Sequence, residues 1–265
     1  MATKPTQPLP DRKGKRAQWA TARRAEGSYS RQLRLLAKHV GHLVKGFINQ
    51  FTGVENLAPS DLAQLIHLLN RYAEIIHPWA ASVANLMLAD VNRRDLTMWR
   101  ANSAAMSKAL REELLTAPTG TTMRSMLHEQ VDLITSLPKE AAERVHEMAQ
   151  KTLVTGQRSK TLIKDILETG DVTEARARCI ARTEVSRAAA KLTQARAEYA
   201  GSEGYIWRTV HDMDVRPSHK EMDGKYVRWS QEPLLSDGTR THAGCIYNCR
   251  CVAEPILAGE SIPKN

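Results

Sequence analysis

Apolar side chains recur at helical spacing through the first two thirds of the chain. Between Ser28 and about residue 201 they return every three or four positions, which places them along one face of a helix. A second apolar face follows Pro59 and Ser60, a typical helix start, and Pro78 is expected to break or kink it. The first face consists of Leu33, Leu36, Val40, Leu43, Val44, Phe47, Ile48 and Phe51. The pattern therefore predicts a series of amphipathic helices.

Glycine and proline indicate where the later helices begin and end. A long helix is predicted from Trp79 to Leu115, and another from Lys139 to Lys151 with Pro138 at its first position, where proline is tolerated. Gly170 is expected to end a helix, because glycine readily adopts the left-handed conformation of a C-cap. The following helix is predicted over residues 173–200.

The pattern changes after Gly201, where bulky and polar residues alternate as they do in strands. Short strands are predicted at Tyr205–His211, Lys225–Trp229 and Cys251–Leu257, separated by turns at Asp-Gly pairs. We therefore predict an α+β fold, with a mainly α-helical N-terminal part and a small C-terminal α+β domain of short strands.

Three domains are expected along the chain. They are a basic flexible arm over residues 1–27, a helical interaction region over 28–170 and the α+β domain over 171–265. A chain of 265 residues with 42% apolar and 25% charged residues is typical of a folded protein and excludes collagen and wholesale disorder. No apolar run approaches the ~18 residues of a membrane span, and the N-terminus lacks the apolar core of a secretory signal.

The net charge of +9 is concentrated near the N-terminus. Residues 1–34 contain nine lysines and arginines and two acidic residues, a net of +7, whereas the rest of the chain is nearly neutral. A basic arm suits a polyanion, because each cation placed beside a phosphate releases condensed counterions. An ordinary solubilising tail is the alternative interpretation. The candidate DNA-binding residues, which would contact phosphates without reading bases, are Arg12, Lys13, Lys15, Arg16, Arg23 and Arg24.

Four short motifs follow one another near the C-terminus. They are Ala181-Arg182-Thr183-Glu184, then Trp207 with Asp212 and the turn Arg216-Pro217-Ser218-His219, then Asp223-Gly224, and finally Asn248-Cys249-Arg250-Cys251. Over residues 175–255 this array resembles the phage Mu F-like family of minor head (head morphogenesis) proteins. Each motif alone is weak, but their common order makes the resemblance specific.

The resemblance implies a minor capsid protein with a structural role in the assembly of a tailed-bacteriophage head, near the portal or the inner capsid. It implies assembly in the bacterial host cytoplasm and a final location in the virion. The expected partners are the portal protein, the major capsid protein or both, together with phage DNA bound without sequence preference. No membrane and no small-molecule substrate are expected.

Six residues of the motifs are candidates for a structural clasp, in which charge-assisted hydrogen bonds pin the turn to the helix. They are Arg182, Glu184, Trp207, Asp212, Arg216 and His219. The alternative is a phage-encoded enzyme, a nuclease or transferase, with Glu184 and Asp212 as its carboxylates and His211 or His219 as its base. Because the sequence contains no phosphate-binding glycine loop, H-E-x-x-H or G-x-S-x-G motif, we expect no enzymatic activity.

Three of the four cysteines, Cys245, Cys249 and Cys251, fall close together. With His219 or His242 as fourth ligand they could close a tetrahedral zinc site that stabilises a loop-rich domain, although their spacing departs from the usual Cys-x2-Cys pair. Two other interpretations stay open: a disulfide between Cys245 and Cys249 or Cys251, and buried free thiols. A structural zinc is the one cofactor that the sequence suggests.

Overall fold

The computed structural model describes residues 22–51, 58–103, 108–155, 159–257 and 260. These residues form a mainly helical protein with a small antiparallel sheet near the C-terminus, which confirms the predicted α+β fold. None of the helices they form is long and apolar enough to cross a membrane. In chain order the elements are α1 Arg23–Asn49, α2 Pro59–Ile75, α3 His77–Asn102, α4 Lys108–Thr116, α5 Gly120–Thr155, α6 Ser159–Tyr199, β1 Gly204–Arg208, α7 Pro217–Lys220, β2 Tyr226–Arg228 and β3 Val252–Ile256.

Proline marks the start of α2 and the break between α2 and α3. Pro59 occupies the first turn of α2, and the Asp61 carboxylate accepts a hydrogen bond from the N–H of Ala58 at 2.9 Å. Because α3 begins at His77, Pro78 lies in its first turn, where the missing N–H would have had no helical partner. The predicted break at this proline is confirmed.

The prediction of one helix from Trp79 to Leu115 is wrong, because α3 ends at Asn102 and α4 begins at Lys108. The physical reason is that Trp99 and Leu114 are both buried in the same apolar cluster. On one straight helix these two positions would be about 22 Å apart, so the chain has to turn between them.

Pro138 lies inside α5, so the predicted helix from Lys139 to Lys151 with this proline at its start is wrong. The proline removes the N–H that would bond to the carbonyl of Ile134. Ile134 and Leu137, in the turn before the proline, are fully buried, and the hydroxyl of Ser136 donates to the Leu133 carbonyl at 2.9 Å. Burial of these side chains therefore stabilises α5 across the proline, because tertiary packing supplies most of the stability of helices in folded proteins.

Gly170 does not end a helix, contrary to prediction, because α6 continues through it. It lies instead where two helices approach closely. A Cβ atom added at Gly170 would stand 3.2 Å from the Cα of Gly41 in α1, and one added at Gly41 would stand 3.5 Å from the Cα of Gly170. The absence of a side chain at this position serves helix packing rather than helix termination.

The chain divides into two compact units, which we call the helical unit and the sheet unit. The helical unit comprises Glu26–Met87 and Leu127–Arg182. Its apolar residues return at three- and four-residue steps on α1, α2, α5 and α6, and they bury one another. This core consists of Val40, Val44, Phe47, Ile48, Leu62, Leu65, Leu69, Ala141, Ala142, Val145, Leu162 and Ile166.

The sheet unit comprises Leu88–Met126, Thr183–Asn265 and the described residues before Glu26. Its three strands lie in the order β2-β1-β3, and both pairs are antiparallel. In the central strand β1, Tyr205 and Trp207 alternate with Ile206, and all three are fully buried. Gly204 is required at the start of β1, since a Cβ there would lie 2.4 Å from the carbonyl oxygen of Val227.

A buried ion pair connects the helices of the sheet unit. Nε of Arg196 in α6 donates to Oδ2 of Asp95 in α3 at 2.7 Å, and both side chains are 3% exposed. Arg196 also donates to Oδ1 of Asn92 at 2.6 Å and to the carbonyl of Leu114 at 3.4 Å. The hydroxyl of Thr193 donates to Oδ1 of Asp95 at 2.6 Å. Each charged atom is therefore satisfied without water.

The close approach of Gly41 and Gly170 predicts a specific sensitivity to side-chain size. We expect Gly170→Leu to lower the free energy of unfolding by about 1–3 kcal/mol, because the added atoms must separate two packed helices. Gly46→Leu is the matched control, since a Cβ at Gly46 meets nothing within 4 Å; it should be neutral or slightly stabilising. Urea unfolding of both variants measures the difference, and equal stabilities would contradict the packing role of Gly170.

The buried ion pair predicts an asymmetry between single and double substitution. Asp95→Ala should cost about 3–5 kcal/mol of unfolding free energy, because it leaves the Arg196 guanidinium buried without its counter-charge. Asp95→Leu combined with Arg196→Met should cost less than Asp95→Ala alone, because no buried charge then remains.

Glu112→Ala serves as the control for the ion pair, since it breaks only an exposed pair with Lys108 and should change stability by less than about 0.5 kcal/mol. Urea unfolding again gives the values. If Asp95→Ala lowers the free energy of unfolding no more than Glu112→Ala does, the stabilising role of the buried Asp95–Arg196 pair is refuted.

Candidate functional site

Three side chains suited to metal binding meet in the sheet unit. Nδ1 of His219 lies 3.5 Å from Sγ of Cys249 and 3.4 Å from Sγ of Cys251. The three donor atoms all lie within 4.8 Å of one another, and all three residues are buried. We call His219, Cys249 and Cys251 the His-Cys cluster.

Short elements at the edge of the sheet position the cluster. His219 lies in α7, which begins at Pro217, and the imidazole is 2% exposed. Cys249 and Cys251 occupy alternate positions in the segment that leads into β3, so both sulfurs reach the same imidazole. The N–H of Cys251 donates to Sγ of Cys249 at 3.3 Å, which fixes the two residues relative to each other.

The segment that carries the two cysteines is tied to α6. Asn248 adopts a positive φ of 58°, and its N–H donates to the hydroxyl of Thr183 at 3.0 Å. Gly244 also has a positive φ, and a Cβ there would lie 3.0 Å from the carbonyl oxygen of Cys251. The loop before the cysteines therefore needs these two conformations in order to turn back onto the helix.

Trp207 covers one side of the cluster. Its ring is fully buried and meets the His219 ring edge to face, with the centroids 5.4 Å apart and an angle of 82° between the planes. Nε2 of His219 is buried and has no hydrogen-bond partner among the described atoms, whereas Nδ1 faces both sulfurs. Packing against the indole therefore orients the imidazole so that Nδ1 points at the cysteines.

The two cysteines interact with each other, and this interaction shifts their pKa values in opposite directions. A hydrogen bond with Cys251 and, to a smaller extent, one with His219 lower the pKa of Cys249 against the opposing effect of burial. The same hydrogen bond and burial raise the pKa of Cys251 above its usual range. The neighbouring sulfur and imidazole therefore favour the thiolate of Cys249, which is the form of cysteine that binds metals.

Arginine side chains clamp the loops on either side of the cluster. Arg250, between the two cysteines, donates to both carboxylate oxygens of Asp212, at 2.6 and 2.9 Å, and it lies 3.3 Å from Asp214. Arg216 donates to the carbonyl of Tyr247 at 3.0 Å and lies over the Tyr247 ring at 5.9 Å. Both contacts join the loop after β1 to the segment before β3.

Comparison with known proteins identifies this part of the chain. Residues 143–254 match the model of the family described as Phage Mu protein F like protein. Over this segment the chain is similar to phage Mu F-like proteins, and we call residues 143–254 the Mu F-like domain. The match begins in α5 and continues through α6, the His-Cys cluster and the sheet, so it starts earlier than the resemblance at residues 175–255. The predicted family is confirmed.

One curated relative extends beyond this chain. An uncharacterized protein of Haemophilus influenzae is 38% identical over 136 residues, which cover 51% of this chain and 30% of the relative. The chain thus matches less than a third of that protein's length. No solved structure is significantly similar to the chain.

Within the Mu F-like domain, the six predicted clasp residues make several separate contacts. Trp207 and His219 pack together. Asp212 accepts hydrogen bonds from Arg250, and Arg216 donates to the carbonyl of Tyr247. Arg182 lies 3.4 Å from Glu26, and Glu184 is buried with one carboxylate oxygen 3.8 Å from Arg187.

The sequence did not predict that Thr183 binds the N–H of Asn248 or that Arg250 binds Asp212, although both residues lie within the four motifs. The signal for Arg250 was the alternation of the Cys-Arg-Cys segment, which directs the arginine away from the two sulfurs. For Thr183 no comparable signal exists, because its partner is a backbone N–H 65 positions away.

The structure brings together three of the four predicted metal ligands. Cys245 lies outside the His-Cys cluster, and burial raises its pKa to about 11, which keeps it a thiol. It lines a neighbouring cavity with His242, whose Nδ1 lies 3.2 Å from the hydroxyl of Tyr205. None of the four cysteines, all of which are described, forms a disulfide in the structure.

The candidate DNA-binding arm falls mostly outside the described residues. Arg12, Lys13, Lys15 and Arg16 lie there. Arg23 and Arg24 are described, and both are exposed in the first turn of α1.

The bidentate contact of Arg250 predicts that Asp212 stabilises the Mu F-like domain more than its neighbour Asp214 does. Asp212→Ala should lower the free energy of unfolding by about 1 kcal/mol, a value reduced by partial exposure of the pair. Asp214→Ala is the control, because its side chain is 86% exposed, and it should stay within about 0.5 kcal/mol of the wild type. Thermal unfolding at low and high salt measures both, and the Asp212 effect should shrink as salt rises.

Proposed function

We propose that this protein is a structural component of a tailed-bacteriophage particle and that it acts in assembly of the head. The observation that carries the proposal is the Mu F-like domain over residues 143–254. In this proposal the protein is a minor capsid protein of the virion and is assembled in the bacterial host cytoplasm. Its protein partner is the portal protein, the major capsid protein or both.

The side chains of the domain support a structural role. Asp212 is bound by Arg250 on both carboxylate oxygens, and Glu184 is buried beside Arg187. Carboxylates held in this way stabilise loops, whereas a general acid or base must exchange a proton with a substrate. This arrangement favours a structural role for these two residues over the nuclease or transferase in which they would act on a substrate.

One observation, made at His211, favours the enzymatic alternative as a second candidate function. His211 has a positive φ of 54°, is exposed, and has Nε2 3.7 Å from a carboxylate oxygen of Asp223. A strained, exposed histidine beside a carboxylate can serve as a base. Asp223 also accepts hydrogen bonds from the N–H and hydroxyl of Thr209, at 2.7 and 3.2 Å, which equally fits a loop anchor. His211→Ala separates the two, since only an enzyme would lose a measurable nuclease or transferase activity while remaining folded.

We further propose that the N-terminal arm contacts packaged DNA without reading its sequence. Its support is the net charge of +7 over residues 1–34 together with the exposure of Arg23 and Arg24 in the first turn of α1. Phosphate contacts by such an arm position a protein on DNA but carry no sequence information.

The particle role predicts a defined copy number. Quantitative mass spectrometry of purified, DNA-filled particles should detect this chain at a reproducible ratio to the portal protein. A matched control is a non-structural phage protein expressed in the same cells, which should be lost on purification. Absence of the chain from finished heads and also from head precursors would contradict the proposal, whereas presence in precursors alone would indicate an assembly factor that leaves.

The DNA role predicts a salt-dependent loss of affinity on truncation. Removing residues 1–21 leaves α1 intact and should weaken binding to a random-sequence duplex. The slope of log affinity against log salt should become shallower by about 0.9 for each phosphate that the arm no longer neutralises. Lys38→Gln with Lys45→Gln is the control, because both lysines are exposed on α1 beyond the arm and should contribute little. An unchanged affinity and salt slope after truncation would contradict DNA binding by the arm.

A further inference from the structure

The donor atoms of the His-Cys cluster are spaced as the ligands of one metal ion. In a tetrahedral zinc site with Zn–S of about 2.3 Å and Zn–N of about 2.1 Å, a nitrogen and a sulfur ligand are about 3.6 Å apart. The two nitrogen–sulfur distances in the cluster are 3.5 and 3.4 Å. Because the two sulfurs also lie within 4.8 Å of each other, one ion can reach all three atoms with small movements of the ligands.

The chemistry of the donors selects the kind of ion. Two thiolates and one imidazole are soft or borderline ligands, which zinc accepts readily and which magnesium and calcium do not. Nδ1 is the coordinating nitrogen of His219, because it faces both sulfurs while Nε2 points away from them.

Burial adds an energetic argument. Cys249, Cys251 and His219 are 5% exposed or less, so any negative charge on the sulfurs is removed from water. A buried thiolate without a full counter-charge is costly, whereas a divalent ion neutralises two of them and replaces their lost hydration. A cation between the three donor atoms therefore stabilises the buried cluster.

We propose that His219, Cys249 and Cys251 are ligands of one structural zinc ion. The ion ties α7 to the segment that leads into β3. These two pieces border a stretch with little regular structure, where a metal contributes most to the stability of a small domain. The proposal rests on these side chains alone and is independent of the role in head assembly.

Metal content of the purified full-length chain is the direct test. The protein, expressed with zinc in the medium and dialysed under reducing conditions, should contain about one zinc ion per chain by elemental analysis. Cys249→Ser and Cys251→Ser should each lower this content at least tenfold. Cys245→Ser and Cys179→Ser are the matched controls and should retain the ion, because neither residue belongs to the cluster.

A spectroscopic readout covers the case in which the cluster variants fail to fold. The wild-type chain reconstituted with Co²⁺ should show a sulfur-to-cobalt charge-transfer band and the intense visible bands of tetrahedral cobalt. Both features should survive in Cys245→Ser. A strong chelator should abolish them and lower the melting temperature of the wild type.

Two results would overturn the proposal. One is a folded wild-type chain without zinc that gives no tetrahedral cobalt spectrum and titrates as four free thiols. The other is a covalent bond between Cys249 and Cys251, detected by mass spectrometry as the loss of two hydrogens under non-reducing conditions.

Discussion

The sheet unit depends on a pair of charges that has been removed from water. Arg196 and Asp95 can remain buried only while they face each other, because either charge alone would lose its hydration without compensation. The remaining donors of the guanidinium reach Asn92 and the carbonyl of Leu114, so one side chain connects α3, α4 and α6. Trp99, Leu114, Ala197 and Ala200, on or directly after those same helices, then form part of the apolar surface on which the strands are buried.

That helical support explains how so small a sheet can be ordered. Three strands of three to five residues are too short to be stable alone, and β1 lies between two partners with nearly all of its side chains buried. Trp207 contributes to this apolar core and also orients His219. The packing that stabilises the sheet therefore also fixes the geometry of the His-Cys cluster.

The Cys-Arg-Cys segment uses the alternation of neighbouring side chains to join two loops at once. Its cysteines face His219 in α7, while Arg250 faces Asp212 in the loop after β1. A charged contact at the surface and a sulfur–imidazole contact in the interior thus fasten the same short stretch of chain. Such a domain is built to hold its shape, which agrees with a structural role in a phage particle.

The amino-acid sequence by itself determined the helical first part, the positions of the three short strands and the family, because these depend on residue types at fixed local spacing. It also indicated the break at Pro78, whose effect is confined to one turn of helix. Only the tertiary structure decided that α5 continues through Pro138 and α6 through Gly170, since burial of Ile134 and Leu137 and the close approach of Gly41 come from distant segments. The partners of two further residues also depended on the packing of loops that are far apart in the chain. Asp212 binds Arg250, and His219 contacts Cys249 and Cys251 rather than Cys245. Local spacing cannot encode those partners, because each contact joins residues at least 30 positions apart.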